Sequence, residues 1–165
     1  MELFGGADVS SSEKTSVLLC GGFGYRYWSD ELWDSRGYLR QIHWLYLPLQ
    51  MDINGPVAQG TTIGGRLGLE LLLGGFIQSS LSDADPTMDD ATNVLPAFPG
   101  VGAGVSAYLK QSLGAGLSLR VEPYFHYWTV QESLPDYVNT GAGVAEVVEP
   151  ANTTTEAGLV VSLCF

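Results

Sequence analysis

Apolar side chains recur at every second position along most of this chain, and the charged residues inside those runs fall on the opposite face. A period of two marks a β-strand, whose successive side chains point to opposite sides of the sheet. In residues 117–127, Leu117, Leu119, Val121, Pro123, Phe125 and Tyr127 share one face, while Ser118, Arg120, Glu122, Tyr124 and His126 share the other. Residues 101–110 set Val101, Ala103, Val105, Ala107 and Leu109 against Gly102, Gly104, Ser106, Tyr108 and Lys110. Residues 60–80 set Ile63, Leu67, Leu69, Leu71, Leu73 and Ile77 against Arg66, Gly68, Glu70, Gly74 and Gln78. Residues 37–53 place Leu45, Leu47, Leu49, Met51 and Ile53 opposite Arg40, Trp44, Tyr46, Gln50 and Asp52. Residues 15–29 oppose Val17, Leu19, Phe23, Tyr25 and Tyr27 to Cys20, Gly22, Gly24, Arg26 and Trp28. The last run opposes Leu159, Val161, Leu163 and Phe165 to Glu156, Gly158, Val160, Ser162 and Cys164.

Five of the seven basic residues, Arg26, Arg40, Arg66, Lys110 and Arg120, therefore lie on non-aliphatic faces, together with Asp52, Glu70, Glu122 and Glu156. In a soluble sandwich the leucine face needs a second sheet to cover it, and the charged face looks to water, where glycine and serine are odd choices. In a membrane-spanning barrel the leucine face meets lipid. The other face then lines a polar interior where arginines and carboxylates pair, because an unpaired buried charge is costly. Strand length favours the barrel: several runs exceed the ~10 residues a tilted strand needs to cross hydrocarbon, whereas soluble strands are nearer ~5–6. Aromatics cluster at strand ends, at 25–28, at 124–128 and at Phe165, where interfacial girdles sit. Short connections ("SSSEK", "NGPVAQG", "QSLG") alternate with the moderate "DELWDSR" and the long residues 81–98 and 131–152. Tight turns at one end and long loops at the other are the habit of outer-membrane barrels.

A length of 165 residues makes the whole chain, 1–165, a single domain. With 18 acidic against 7 basic residues and a net charge of -11, it offers no surface for nucleic acid, which is bound by neutralising phosphates with Lys and Arg. Much of the acidity sits in the long loops, at Asp83, Asp85, Asp89, Asp90, Glu132, Asp136, Glu146 and Glu149. Gly, Arg and Glu interrupt every apolar run before it reaches the length of a transmembrane helix. "MELFGGADVSSSEK" has no basic head followed by an apolar stretch and a cleavage site, so an exported protein of this sequence is expected to be a mature chain or a fragment. Cys20 and Cys164 show no metal-ligand spacing and are expected to be small wall residues.

"GYRYW" at 24–28, "WLYLPLQMDI" at 44–53, "IGGRLGLELLLGGFIQSS" at 63–80 before a long loop, and the closing "AGLVVSLCF" occur in that order. Together they make the chain resemble the small, eight-stranded, porin-like outer-membrane β-barrels of Gram-negative bacteria. The resemblance implies an all-β, up-and-down antiparallel transmembrane barrel of about eight strands. It would lie in the bacterial outer membrane, in contact with the lipid bilayer and lipopolysaccharide, and be inserted by the barrel-assembly machinery. Other envelope proteins would be its partners, and no cofactor or metal is implied. The family's C-terminal assembly signal maps onto Val161, Leu163 and Phe165, although Val160 occupies its glycine position and Gly158 lies two residues earlier.

Counting "LFGGADV" as a short strand gives seven, whereas single-chain bacterial barrels have even numbers. With the C-terminus on the short-turn side, "LFGGADV" runs downward. An upward strand is then expected before it, from a longer native chain or from another chain. "YVNTGAGVAEVV" is the alternative eighth strand, but it would move the C-terminus to the long-loop side.

Arg26, Arg40, Arg66, Lys110 and Arg120 with Asp52, Glu70, Glu122 and Glu156 are expected to form an interior charge network. In a barrel this narrow they fill the interior, leaving room for side chains and little else. The function expected is structural or interactive, with acidic loops outside; a narrow small-solute channel and a soluble lipocalin-like barrel are the alternatives. His126 near Glu122 and Ser118 invites a hydrolase reading, but eight residues of extended strand separate His126 from Ser118 by ~26 Å. No nucleophile motif surrounds another serine, so an enzyme is not expected. His43 is expected at the wall without a metal partner. "DADPTMDD" lacks the spacing of a calcium loop and is expected to be solvated, and the "NTT" at 152–154 to be a chance match.

Overall fold

The computed structural model describes residues 1–12, 14–31, 37–97 and 100–165. Its strands are β1 (Glu2–Asp8), β2 (Ser16–Glu31), β3 (Leu39–Ala58), β4 (Thr61–Ser79), β5 (Ala91–Leu95), β6 (Val101–Gly114), β7 (Leu117–Val130), β8 (Asp136–Thr140), β9 (Gly143–Val147) and β10 (Asn152–Cys164). One short helix, α1 (Leu81–Ala84), follows β4. The all-β, antiparallel expectation holds. A single sheet runs β1-β2-β3-β4-β6-β7-β10 with every neighbour antiparallel, and β5 adds to the end of β4.

The sheet curls strongly. Trp44 on β3 and Trp128 on β7 are separated by two strands, yet their rings lie 5.3 Å apart, and Arg26 on β2 is ion-paired with Glu156 on β10. Among the described residues β1 and β10 do not pair, so the curl ends in two open edges. "YVNTGAGVAEVV" supplies no strand to this sheet; it forms the separate β8–β9 hairpin.

Two tight turns differ in place from the sequence expectation. "NGPVAQG" is mostly strand, since β3 continues to Ala58 and turns at Gln59–Gly60; "QSLG" belongs to β6, which turns at Ala115–Gly116. The chain reverses where it reaches positive φ: 74° at Gly60, 51° at Ala115 and 82° at Gly116. Such residues match the twist of a two-residue hairpin. These turns and residues 9–12 and 14–15 gather at one end of the sheet, and residues 80–97 and 131–151 at the other. Of "DELWDSR", Asp30 and Glu31 finish β2, while 32–36 lie outside the described residues.

A bulge corrects the face assignment in β4. Tyr46 pairs with Leu72 and Leu45 with Gly74, so Leu73 is an extra residue; Gly74, at φ 150°, absorbs the kink. A one-residue insertion reverses the alternation beyond it. Ile77 is consequently turned inward, at 4% exposure, and Gln78 outward, the reverse of the unbroken pattern.

The convex face carries Leu19, Leu45, Leu49, Leu67, Leu69, Val105, Leu109 and Leu163, all exposed. Among the described residues no second layer covers them. The apolar core lies on the concave side toward the loop end, where Trp44, Tyr46, Leu72, Ile77, Leu95, Trp128 and Val130 cluster. Trp128, at 1% exposure, is thus interior rather than part of a girdle. Glycine permits this packing: a methyl group on Gly64 would sit 2.2 Å from the Tyr108 ring, and one on Gly24 2.3 Å from the Tyr46 ring. Each aromatic lies across the glycine of the neighbouring strand.

Candidate functional site

Alternation places Arg26, Arg40, Asp52, Arg66, Glu70, Arg120, Glu122 and Glu156 on the concave face, and the curl brings them together. Glu122 on β7 is the centre of the largest cluster. It accepts from Arg120 Nη2 at 2.7 Å and from Ser106 Oγ at 2.6 Å, and Arg66 Nη1 lies 3.9 Å away. Arg66 also reaches Asp52 at 3.4 Å, and Asp52 accepts from the Tyr108 hydroxyl at 3.2 Å. The Arg120 guanidinium sits 3.7 Å above the Tyr108 ring, a cation–π contact that closes the circuit.

Nearer the loop end, His126 Nε2 lies 3.0 Å from Glu70 Oε2. Arg26 pairs with Glu156 and lies 5.5 and 5.6 Å from the Trp28 and Trp44 rings. Arg40 joins Glu149 at 2.6 Å and Asp30 at 3.5 Å, tying β3 to a long loop. Lys110 stands apart: it has no ion-pair partner among the described residues and faces the turn end beside Thr62 and Ser112.

Between these clusters lies a cavity of about 400 Å³ lined by Gln50, Arg66, Glu70, Ser106, Glu122 and His126. The two open edges contribute Glu2 and Phe4 from β1, and Glu156 and Val160 from β10. On the loop side the Trp44, Tyr46 and Trp128 rings pack across the interior, with centroids 5.3–5.5 Å apart. Compared with known protein families and with curated proteins, the chain matches none.

Several site residues escaped the sequence reading. Glu2 accepts from the Tyr46 hydroxyl at 2.9 Å, and its even position in a short, glycine-rich strand was the only hint. Glu149 lies in a long loop with no periodicity to assign it a face. The His126–Glu70 pair joins β7 to β4, strands that are not neighbours in the sheet. Ser118 shares the polar face of β7 with His126 and Glu122 but makes no hydrogen bond to His126 among the described residues. His43 lies on the convex face, stacked on Phe76 at 4.4 Å and 2.6 Å from the Tyr25 hydroxyl.

The long loops fold into a cap. Asn93, 1% exposed, donates from Nδ2 to the carbonyls of Val147 (2.8 Å) and Leu134 (3.3 Å). The Thr92 amide donates to Asp136 at 2.7 Å, and Asn139 to Asp89 at 2.7 Å. In "DADPTMDD" two carboxylates turn to their own loop: Asp85 accepts from the Thr87 amide and hydroxyl, and Asp90 from the Ser82 hydroxyl and amide. These bonds hold both carboxyls below the usual range. Among the described residues no cluster of His, Cys, Asp and Glu has the makings of a metal site. Cys20 and Cys164 are free thiols. Val161, Leu163 and Phe165 lie exposed at the end of the last strand.

Proposed function

We propose that this chain is the wall of an outer-membrane β-barrel with a structural or interaction role, its charge-paired interior serving to fill the barrel and its capped acidic loops facing outward. The observation that carries this reading is the convex face. A single curled sheet with a continuous band of exposed leucine and valine needs an apolar solvent, and lipid provides one without a second protein layer. Arginines and carboxylates matched across the concave face support the same conclusion, since a narrow interior takes charge only when it is paired.

The packed Trp44, Tyr46 and Trp128 rings favour a filled barrel over a small-solute channel. A lipocalin-like carrier would turn its apolar face inward, and here that face is outward. Val161, Leu163 and Phe165 are read as the signal for the assembly machinery, with the bilayer and lipopolysaccharide as the immediate environment.

The test is a mobility gel of the chain refolded in detergent and in plain buffer, comparing boiled with unboiled samples. A heat-dependent shift in detergent alone is the expected result. A folded, soluble species in plain buffer would overturn the membrane reading.

A further inference from the structure

β1 and β10 both run from the loop end toward the turn end, since seven antiparallel strands in succession leave the first and last pointing the same way. Zipping these edges directly would create a parallel ladder in an otherwise antiparallel sheet. One strand running the opposite way would pair antiparallel with both.

The gap suits a strand and nothing bulkier, because the Arg26 and Glu156 side chains already bridge from β2 to β10. The residues flanking it are also under-covered. Leu159, Val161 and Leu163 on β10 are 61–62% exposed and Leu3 on β1 is 74% exposed, against 45% for Leu69 and 47% for Leu45 in the middle of the sheet. A second copy would bring a whole sheet attached to its edge strand.

We infer that the cleft between β1 and β10 binds one extended strand of a partner polypeptide, running from the turn end to the loop end. This inference builds on the barrel reading, in which open backbone edges facing hydrocarbon must be satisfied. The strand's outward side chains are apolar, extending the band formed by Leu3, Leu159, Val161 and Leu163. Its inward side chains are small or polar, to fit beside Phe4, Gly6, Gly158 and Val160. One inward Lys or Arg lies near its C-terminal end, beside Glu2, which has no cation partner among the described residues. The recognition mode is strand addition, with backbone bonds giving affinity and alternate side chains giving specificity.

The full chain, refolded in detergent micelles, is titrated with a dye-labelled peptide of about 12 residues, long enough to cross the hydrocarbon. It has Leu and Val at odd positions, Gly and Ser at even ones, and Arg at the even position nearest its C-terminus. The expected result is saturable binding of one peptide per chain, with amide-exchange protection along β1 and β10. A peptide of the same composition without the alternation should not bind. Glu2→Gln should weaken the arginine peptide roughly tenfold and leave an Arg→Gln version of the peptide unaffected.

Absence of saturable binding to chain that shows the heat-dependent mobility shift overturns the inference. So does a cross-linked dimer that protects β1 and β10 without peptide. If the chain alone shows no shift, the patterned strand and its scrambled version are each tethered ahead of Met1. Folding with the patterned strand only supports the inference, and equal failure of both overturns it. Peptide binding to a chain folded in plain buffer would sink the membrane reading and leave the strand site standing.

Discussion

Glu122 shows how much one interior carboxylate does in this sheet, since it meets Arg120, Arg66 and Ser106 at once. Removing it takes away the ion-pair partner of Arg120 and leaves Arg66 with Asp52 alone. Glu122→Ala is therefore expected to cost about 2 kcal/mol in urea unfolding from detergent, below the ~3–5 kcal/mol of a fully buried broken pair because the Arg66 side chain keeps 41% of its exposure. Glu156→Ala, which orphans Arg26 alone, should cost less; an equal or greater loss would contradict Glu122 as the centre of the network. Ala115 is a different case, a non-glycine residue at φ 51° in the β6–β7 turn. Asn adopts that conformation more readily, so Ala115→Asn should stabilise by about 0.5–1 kcal/mol in the same assay.

Among the elements, β4 and the acidic loop make the sharpest claims. The Leu73 bulge turns Ile77 into the core and Gln78 out, and because Leu73 is the extra residue between the Leu72–Tyr46 and Gly74–Leu45 pairs, deleting it should close the bulge and leave Ile77 inward, opposite Ile42. Amide exchange along β5, which pairs with the far end of β4, should then keep its protection; loss of β5 protection would show that Leu73 is not the extra residue of the ladder. In the loop, Asp85 and Asp90 have carboxyls lowered from 3.8 by bonds that only the folded loop makes. Their contribution is complete above that value and is lost as pH falls through the lower folded values. Protection of the Ser82 and Thr87 amides is thus expected to be constant from neutral pH down to about 4 and to fall below it. An increase in protection on acidification would reverse the sign of the effect.

At the scale of the whole molecule, the two faces should meet different solvents. With Cys20 and Cys164 replaced by Ala, a fluorophore on Leu69→Cys should be strongly quenched by brominated lipid, and one on Ser106→Cys, inside the curl, only weakly. Equal quenching would mean that the convex face does not lie in hydrocarbon. The faces themselves were legible in the sequence wherever the period of two ran unbroken. Leu67 and Leu69 opposite Arg66 and Glu70, or Val121 opposite Arg120 and Glu122, need no tertiary information, because the pleat alone separates neighbouring side chains.

The antiparallel order and the two unequal ends of the sheet were likewise local, following from short and long connections between consecutive strands. Sequence could not reveal which charges meet. The pairs Arg26–Glu156 and His126–Glu70 join residues far apart in the chain and on non-adjacent strands, and only the curvature of the sheet brings them within reach. Nor could it reveal the reversal at Leu73, which depends on how β3 and β4 settle their registers, or the role of Glu149 and Asn93, whose loop segments carry no periodicity. Alternation is a property of one strand; closure, curl and cross-sheet pairing are properties of all the strands together, and only the tertiary structure decided them.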